Sequence, residues 1–409
     1  MSETMKKPRI RFKGFTEAWE QRKVSELAEK TYGGGTPTTS NEAYWNGDIP
    51  WIQSSDVVDG KLFGVEPRKR ISRNGLNNSA AQLVPENSIA IITRVGVGKL
   101  AFMPYSYATS QDFLSLSKLN TESFFTVYAC YKKLQSELNA VQGTSIKGIT
   151  KDELLAKIIM VPQYAEQQQI GAFFSQLDNL ITLHQRKYDK LLNIKKSMLE
   201  KMFPKNGNDV PEIRFKGFTD AWEQRKLNEI ADKVTEKNAG LQYIETFTNS
   251  AEFGIVSQRD FFDHDIAKMS SLGGYYIVRN EDFVYNPRIS TSAPVGPINR
   301  NKLGRIGVMS PLYTVFRPHD VDTTYLEYFF KSKYWHSFMN FNGDSGARSD
   351  RFSIKDSVFF EMPIPLPYIE EQRKIGEHLT QLDRLITLHQ RKLEKLKNIK
   401  KSMLEKMFV

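Results

Sequence analysis

Two short motifs bring together residue types that could do catalysis, but neither meets the requirements of the chemistry it suggests. The sequence GDSG at 343–346 resembles the nucleophile loop of trypsin-like proteases. It lacks the Gly-Pro that follows in those enzymes, and the chain has only six histidines and one cysteine to support the rest of that chemistry. The run GVGK at 96–99 is not a phosphate-binding loop, because Leu100 stands where Ser or Thr is required and the upstream glycine is missing.

Two further motifs fail in the same way. The run DHD at 263–265 could ligate a metal ion, but no other His or Cys lies nearby in sequence, so a surface turn is the better interpretation. The run NPR at 286–288 is the nearest approach to the Asn/Asp-Pro-Pro-Tyr/Phe signature of amino-methyltransferases, and it does not match. We therefore predict a chain without catalytic residues and without a metal site.

Polar loops hold the side chains that we predict to be functional. These loops are rich in Thr, Ser, Asn, Gln and Arg, which read base edges or grip phosphates in protein–DNA complexes. Loops contain such residues in any case, and for a single position that interpretation stays open. The candidate DNA-binding residues are Thr36, Thr38, Ser54, Arg94, Lys99, Thr144, Ser145 and Lys147 in the first half, and Arg288, Ser290, Arg348, Ser349 and Arg351 in the second.

Strands and turns must position these loops. Strand-like runs lie at 88–93 and 113–119, and at 275–278, 282–285 and 307–316. Turn signals lie at 33–37 and 46–50. In each half a strand leads into an arginine-bearing loop, and a late polar loop (143–148 or 346–353) precedes another strand and a proline. The two halves therefore share a faint common plan.

The segments that flank these regions are repeated almost unchanged. Residues 10–23 and 213–226 are identical at 13 of 14 positions, and residues 177–203 and 382–408 at 23 of 27. The offsets are 203 and 205 residues, whereas the interiors (roughly 31–160 and 234–365) hardly resemble each other. Two near-identical frames that carry different inserts indicate one protein that recognises two different targets.

The second repeated segment predicts a long helix with a coiled-coil seam. Apolar residues fill the a and d positions of one heptad frame over more than four heptads. They are Ile170, Phe173, Leu177, Leu180, Leu191, Ile194 and Met198, and Ile375, Leu382, Leu385, Leu396, Ile399 and Met403. A helix of roughly 35 residues is about 50 Å long. His184 and His389 occupy equivalent a positions, where polar residues more often fix register than bind metal.

The outer face of these helices is repeated as closely as the seam. A coiled coil requires only the seam to be kept, so we predict that both outer faces meet copies of the same partner. The net charge of +10 favours a polyanionic partner, although a lysine-rich composition alone would also produce it. The single cysteine and the lack of an apolar span or signal peptide predict a cytoplasmic protein.

These repeated segments resemble the specificity subunit of type I restriction–modification enzymes. The likeness rests on IRFKGFT…AWEQRK and LITLHQRK…NIKKSMLEKMF, each present twice, and on GGGTPTTSNEAYWNGDIPWIQSSDV at 33–57. The resemblance implies an α+β protein in which two α/β target-recognition domains are joined by two long antiparallel coiled-coil helices, with a pseudo-twofold internal repeat. The second insert lacks a counterpart of residues 33–57. The expected target-recognition domains are residues 1–160 and 208–365. The expected conserved helical regions are residues 161–207 and 366–409.

The resemblance also implies the partners and the division of labour. It implies recognition of a bipartite double-stranded DNA site, binding of two methyltransferase (modification) subunits through the repeated helices, and restriction subunits in the larger complex. This chain would bind no cofactor, since S-adenosylmethionine would belong to the methyltransferase subunit. The alternatives are a coiled-coil scaffold that pairs two identical partners without reading DNA and, more weakly, a chain that is itself a methyltransferase.

Overall fold

The computed structural model describes residues 7–140, 148–205, 207–263, 267–344 and 350–409. The chain forms two compact units. The first unit consists of Met1–Gln185 with Gln390–Val409, and the second consists of Arg186–His389. The predicted segment boundaries at 160, 207 and 365 follow the sequence rather than contacts, and they stay predictions.

The first unit is built around a four-stranded antiparallel sheet of order β2-β8-β5-β6. A three-stranded sheet β4-β3-β7 lies in its insert, and β1 pairs with β9. The elements are β1 Glu20–Lys23, β2 Ala28–Gly33, β3 Trp45–Ile52, β4 Lys69–Ile71, α1 Arg73–Asn77, β5 Ser88–Ile92, β6 Leu100–Met103, β7 Ala108–Thr109, β8 Phe113–Leu119, α2 Ser123–Ala140, α3 Lys151–Ala156, β9 Ile158–Val161 and α4 Tyr164–Lys201. Helix α4 continues into the second unit.

The second unit repeats the four-stranded sheet, with order β11-β18-β15-β16, but differs elsewhere. Two separate pairs, β12-β13 and β14-β17, replace the three-stranded sheet. The elements are β10 Glu223–Lys226, β11 Ala231–Lys233, β12 Phe247–Ser250, β13 Gly254–Ser257, α5 Gln258–Phe262, β14 Tyr276–Val278, β15 Phe283–Tyr285, β16 Ile298–Arg300, β17 Gly307–Met309, β18 Thr314–Pro318, α6 Thr323–Lys331, α7 Tyr334–Asn342, α8 Asp356–Phe359, β19 Pro363–Leu366 and α9 Ile369–Met407.

Most predicted strands are confirmed, and two local predictions are wrong. The predicted turn at 46–50 lies inside β3, because Asn46 adopts a positive φ of 58° and the strand continues through a bulge opposite Ile71. The predicted strand at 307–316 is two strands, β17 and β18. Pro311 lies in the turn between them, since proline cannot donate to a ladder.

The repeated frame folds in the same way in both units. Strands β1 and β10 pair antiparallel with β9 and β19. The Arg11 guanidinium donates two hydrogen bonds (2.6 and 2.7 Å) to the fully buried carboxylate of Glu166. Arg214 makes the same bidentate pair with Glu371 (2.7 and 2.8 Å). Each pair ties the start of a frame to the first turn of its long helix, and removing one partner would leave a buried charge without compensation.

The two predicted long helices are confirmed as α4 and α9, of 38 and 39 residues. They pack antiparallel. In the first unit Asp178 of α4 binds Lys400 of α9 (2.6 Å). Phe174, four residues before Asp178, packs on Phe408, which directly follows the end of α9. In the second unit Lys195 of α4 binds Asp383 of α9 (2.5 Å). The two ion pairs are counterparts in the repeat.

Each of these aspartates also accepts a hydrogen bond from a tyrosine of its own domain. Tyr128 donates to Asp178 (2.7 Å) and Tyr328 donates to Asp383 (2.8 Å). The bond joins a helix of the domain to the paired long helices, once in each unit. The predicted α+β fold with a duplicated frame is therefore confirmed.

The covered stripe of the helices differs from the predicted seam. The a positions lie in the stripe, but Leu180 and Leu385 at d positions are each 44% exposed. The neighbouring Ile386 is buried, and Ile181 is half-buried. The sequence is apolar at both of two neighbouring positions, Leu180–Ile181 in α4 and Leu385–Ile386 in α9. A stripe of covered residues spaced 3 then 4 apart and one spaced 4 then 3 apart therefore fit it equally well. Packing selects the second alternation and leaves the d-position leucines on the outer face.

Candidate nucleic-acid interface

The first unit has a polar groove at one edge of its four-stranded sheet. Strands β2 and β5 both run antiparallel to β8, which lies between them, so their carboxyl ends meet the amino end of β8. The groove, of about 860 Å³, is lined by Gly33 and Gly34 at the end of β2, Arg94 after β5, Gln111 before β8, and residues 148–151 at the end of the late loop and the start of α3. We call it the first groove. Four loops that are distant in sequence thus meet at one place.

Backbone hydrogen bonds hold the walls of the first groove together. The Ile149 N–H of the late loop donates to the Thr93 carbonyl (2.7 Å). The Thr93 N–H and hydroxyl donate to the Asp112 carbonyl (2.7 and 3.0 Å). The late loop, the loop after β5 and the turn before β8 are therefore coupled, which fixes the spacing of the side chains that they present.

The second unit has a groove at the equivalent edge of its sheet. It encloses about 520 Å³ and is lined by Lys233 at the end of β11, Pro287 after β15, Leu312 before β18, and residues 351–354 of the late loop. As in the first unit, the late loop is bonded to the loop that follows a strand of the sheet, here β15. The Phe352 N–H donates to the Pro287 carbonyl (2.7 Å). We call this site the second groove. The plan of the two sites is the same and their side chains differ.

Cationic side chains lie at both grooves. Arg94 and Lys151 are exposed in the first. In the second, Arg351 is half-buried and its backbone pairs with that of the exposed Arg288. Lys233 donates a hydrogen bond to Asp356, which also lines the second groove, and this bond raises the pKa of the Lys233 ammonium. Exposed cations around a polar groove suit a polyanion such as the DNA backbone.

The structure brings together only part of the predicted site. Arg94 and Arg351 line the two grooves, and Thr36 joins the first one through its hydrogen bond to Gln111 (2.6 Å). Arg288 lies directly after the groove residue Pro287. Five predicted residues lie outside the described residues, namely Thr144, Ser145, Lys147, Arg348 and Ser349.

Four predicted residues do not line the grooves as described. Thr38 is exposed in the loop after β2, Ser54 begins a short 3₁₀ helix after β3, and Lys99 stands before β6. The Ser290 hydroxyl is used locally, since it accepts from the Ala293 N–H (3.2 Å). A role for these four in binding DNA stays a prediction.

Sequence reasoning missed several groove residues. Gln111, Lys151, Lys233 and Leu312 line the grooves but lie outside the loops that we selected. Leu312 fell within the predicted strand at 307–316. Gln111 is two positions before a correctly predicted strand, and that position was the available signal. Only the sheet order shows that the start of β8 lies beside the ends of β2 and β5.

The outer face of the long helices carries a repeated apolar surface. Leu180 and Leu183 of α4 are 44% and 47% exposed, and Leu385 and Leu388 of α9 are 44% and 45% exposed. We call these four side chains the outer-face leucines. They belong to the octapeptide LITLHQRK, which is identical in the two helices. The same exposed apolar surface is therefore presented once on each helix.

Within the described residues, no group of three or more His, Cys, Asp or Glu side chains could hold a metal ion. His264 and Asp265 of the DHD run, and Ser345 and Gly346 of the GDSG run, lie outside the described residues. In the described part of the chain, no helix is both long enough and apolar enough to cross a membrane.

The chain combines a duplicated frame with two unlike polar grooves, one in each unit. The family model of the type I restriction modification DNA specificity domain matches the chain twice, at residues 16–193 and 219–398. The chain therefore belongs to the type I restriction modification DNA specificity domain family.

The chain is similar to type I restriction enzyme specificity subunits of Methanocaldococcus jannaschii. The MjaVIII type I restriction enzyme specificity subunit is 23% identical over 411 residues, covering 95% of this chain and 91% of the relative. The MjaIX specificity subunit is 26% identical over 231 residues, which is about half of each protein (54% of this chain and 53% of the relative).

Solved structures share the fold along the whole chain. The type I restriction-modification S subunit from M. genitalium aligns with a TM-score of 0.53 at 14% identity, covering 98% of this chain and 99% of that one. A chain from a study of complex assembly and conformational transition of the type I R-M system aligns with a TM-score of 0.52 at 18% identity, covering 96% and 98%. At these identities the likeness shows the fold alone.

Proposed function

We propose that this chain is the specificity subunit of a type I restriction–modification complex, and that each unit reads one half of a bipartite double-stranded DNA site. The observation that carries the proposal is the pair of grooves. They lie at equivalent sheet edges on a duplicated frame, yet their linings differ. An asymmetric split site needs two unlike readers held by like supports. Arginine and amide side chains at the grooves supply base-edge and phosphate contacts.

The proposal divides the chain as the sequence predicted. Residues 1–160 and 208–365 are the two target-recognition domains, and 161–207 and 366–409 are the repeated helical regions. The helices set the spacer between the half-sites. We place the complex in the cytoplasm, where its DNA substrate is found.

Two methyltransferase subunits are proposed to dock on the helices, one at each pair of outer-face leucines. The identical octapeptide and its equal exposure on both helices support two copies of one partner. Restriction subunits would join the larger complex. S-adenosylmethionine and the methylation chemistry are assigned to the partner, which would flip the target adenine out of the duplex.

Mapping of N6-methyladenine in cells that carry this gene and its methyltransferase partner tests the reading of DNA. The expected result is one bipartite motif with an unspecified spacer, absent when this gene is deleted. A scaffold that pairs two partners without reading DNA would bind both of them, yet methylation would show no motif. Methylation without a motif would contradict the proposal. So would a motif that remains when this gene is deleted.

The docking sites are tested by native mass spectrometry of the purified complex. Wild type should bind two partner copies per chain. Leu180→Ser with Leu183→Ser should leave one copy, and Leu385→Ser with Leu388→Ser should do the same. A matched control is Leu241→Ser with Ile244→Ser, which removes two similarly spaced and exposed apolar side chains (48% and 66%) outside the repeated frame. Two bound copies in either test variant would place the docking surface elsewhere.

A further inference from the structure

The same tight turn precedes the middle strand of the sheet in both units. It spans Ser110–Phe113 before β8 and Ser310–Tyr313 before β18, and we call these the serine turns. The Phe113 N–H donates to the Ser110 carbonyl (3.4 Å), and the Tyr313 N–H donates to the Ser310 carbonyl (3.1 Å). In both turns the serine hydroxyl also accepts from the N–H two residues on (3.5 and 3.4 Å).

The first serine turn is held firmly from several sides. The Ser110 N–H donates to the Ile52 carbonyl (2.9 Å), and the Asp112 carbonyl accepts two bonds from Thr93. Gly34 lies so close that a Cβ atom there would be 1.8 Å from the Ser110 carbonyl oxygen, so only glycine fits. The turn is therefore a rigid support for the residue at its tip, Gln111.

Gln111 is exposed, lines the first groove and has a fixed side-chain amide. The Thr36 hydroxyl donates to the Gln111 Oε1 atom (2.6 Å), which restricts the amide plane and leaves the Nε2 donors and a second lone pair of Oε1 for a ligand. A side-chain amide with one donor and one acceptor side by side matches the N6 and N7 atoms of adenine in the major groove.

The second serine turn presents a different chemistry one position further along. Pro311 is the counterpart of Gln111, and Leu312 follows it. Leu312 is 60% exposed and lines a groove that also contains Lys233 and Arg351. The turn is anchored by a hydrogen bond between the Tyr313 and Thr248 hydroxyls (3.1 Å), and Pro311 restricts its backbone. An exposed apolar side chain on this turn matches the methyl group of thymine, which distinguishes that base in the major groove.

We propose that the serine turns are specificity-determining elements, in which Gln111 reads an adenine in one half-site and Leu312 reads a thymine methyl in the other. Thr36 is a positioning residue that orients the Gln111 amide. This assignment rests on the proposed function, because it presumes that the grooves read DNA. It adds which turn does so and which base each tip residue selects.

The test is methylome sequencing of cells that carry the complete complex with Gln111→Ala or Leu312→Ala. Gln111→Ala should relax one adenine in one half-site, with discrimination falling about 10- to 100-fold. Leu312→Ala should relax one thymine in the other half-site by a smaller factor. The unaltered half of each motif shows that the variant is folded and assembled. Matched controls are Gln21→Ala, an exposed glutamine on β1, and Leu241→Ala, an exposed leucine outside the grooves.

A switch variant guards against a simple loss of activity. Gln111→Glu has the same shape but only accepts hydrogen bonds, so it should prefer cytosine, whose N4 amino group donates. Thr36→Val should relax the same adenine position as Gln111→Ala, and Thr36→Ser should restore it. Thr39→Val, three residues along the same loop, is the control and should leave the motif intact.

Several outcomes would overturn the inference. A complete motif in Gln111→Ala and Leu312→Ala would show that the serine turns do not read bases. Retention of adenine by Gln111→Glu would exclude the amide as the reader. In both cases a bipartite motif would persist and the proposed function would stand. Absence of a bipartite motif with the wild-type chain would instead remove the proposed function and this inference together.

Discussion

At the scale of single residues, the two units share equivalent hydrogen bonds but differ in the side chains that these bonds support. The bidentate pairs Arg11–Glu166 and Arg214–Glu371 have the same geometry to within 0.1 Å. The serine turns are likewise closed by the same bonds, yet Gln111 heads one groove and Leu312 the other. In these pairs the supporting hydrogen bonds are repeated, whereas the residues that face the grooves differ.

The groove arginines should act on separate half-sites. Arg94→Ala should affect one half of the DNA motif and Arg351→Ala the other, because they line different grooves. Loss of a base contact costs about 1–3 kcal/mol and relaxes one position. Loss of a phosphate contact weakens binding to all sequences and lowers the salt slope by about one. Salt-dependent binding of the complex to matched and mismatched duplexes measures both effects.

The control for the groove arginines is the variant Arg22→Ala. Arg22 is a partly exposed residue of the frame strand β1, and it forms an ion pair with Glu20. It should leave both affinity and motif unchanged. Groove variants that behave like this control would show that Arg94 and Arg351 are ordinary loop residues.

The thiol of Cys130 should be inert in the folded chain. Cys130 is buried in the core of the first unit, and burial raises the pKa of its thiol to about 12. Only the thiolate reacts, and with this raised pKa little thiolate is present at pH 8. Burial also keeps a thiol reagent away from the sulfur atom. A chromogenic disulfide reagent should label the chain only after denaturant is added. Rapid labelling of the native chain at pH 8 would show that this core opens readily.

At the scale of elements, the long helices combine a covered stripe with an outer face that is equally well repeated. A stripe of alternating three- and four-residue spacing is enough to pack two helices. The outer-face leucines are not needed for that stripe, and they remain exposed in both copies. The helices are therefore supports for the two units and, in our proposal, docking sites for the partner.

Helix length should set the spacer of the DNA site. Four residues inserted after Lys190 extend α4 by about 6 Å. Because B-DNA rises about 3.4 Å per base pair, the preferred spacer should lengthen by one or two base pairs while both half-sites stay the same. Methylome sequencing measures the spacer. The same insertion after Asp59, in an exposed loop of the first unit, is the control and should leave it unchanged.

An active Lys190 insertion variant with the original spacer would show that the partner subunits set the distance. The inserted turn is also a stutter, which a coiled coil can absorb by local unwinding. Circular dichroism of the variant would confirm that its helix content is retained.

A buried ion cluster should make the second unit sensitive to acid. Burial alone would raise the pKa of Glu327, but the charge of Lys331, the hydrogen bond from Lys302 and the charge of Arg300 lower it to about 2. A carboxylate with a lowered pKa stabilises the fold above its unfolded value of 4.5 and loses that contribution as the pH falls towards 2. The contribution at neutral pH is roughly 3 kcal/mol.

The measurement is urea unfolding of wild type and Glu327→Gln at pH 6 and at pH 3. The advantage of the wild type should shrink by about 2 kcal/mol between these two pH values, because the unfolded carboxylate takes up a proton first. Glu252→Gln, which removes an exposed carboxylate of the same unit, is the control. An advantage that does not change with pH would contradict the lowered pKa of Glu327.

At the scale of the whole molecule, duplication separates support from specificity. Each unit has the same four-stranded sheet order, the same frame strand pair and the same anchoring of the long helix. The second sheets differ, with β4-β3-β7 in one unit and two separate pairs in the other. An insert can therefore change without disturbing the frame that carries it.

Specificity should be exchangeable one unit at a time. Replacing residues 31–160 with the corresponding insert of a relative should change one half of the methylated motif and leave the other half and the spacer intact. The physical reason is that the groove residues Arg94 and Gln111 belong to the exchanged insert, whereas β1 and α4 of the frame do not. Methylome sequencing of the chimera is the measurement. A change in both halves would contradict two independent readers.

Much of this protein is determined by local patterns in its sequence. The repeated frames, the two long helices and the strands at 88–92 and 113–119 follow from duplication, heptad spacing and β-branched runs, which act over a few residues. The motif at 33–57 and the repeated segments also pointed to the family that the comparisons show. For these features neighbouring residues carry enough information.

Only the tertiary structure decided which surfaces these elements present. The heptad pattern was apolar at both Leu180 and Ile181, and contact with the other helix chose which one to cover. Gln111 gave no signal of its own, because its position beside Arg94 and the late loop depends on the order β2-β8-β5-β6. Strand order is set by pairing between distant segments, whose energies depend on packing that local periodicity does not record. The sites that distinguish one unit from the other are therefore the part that the sequence alone left open.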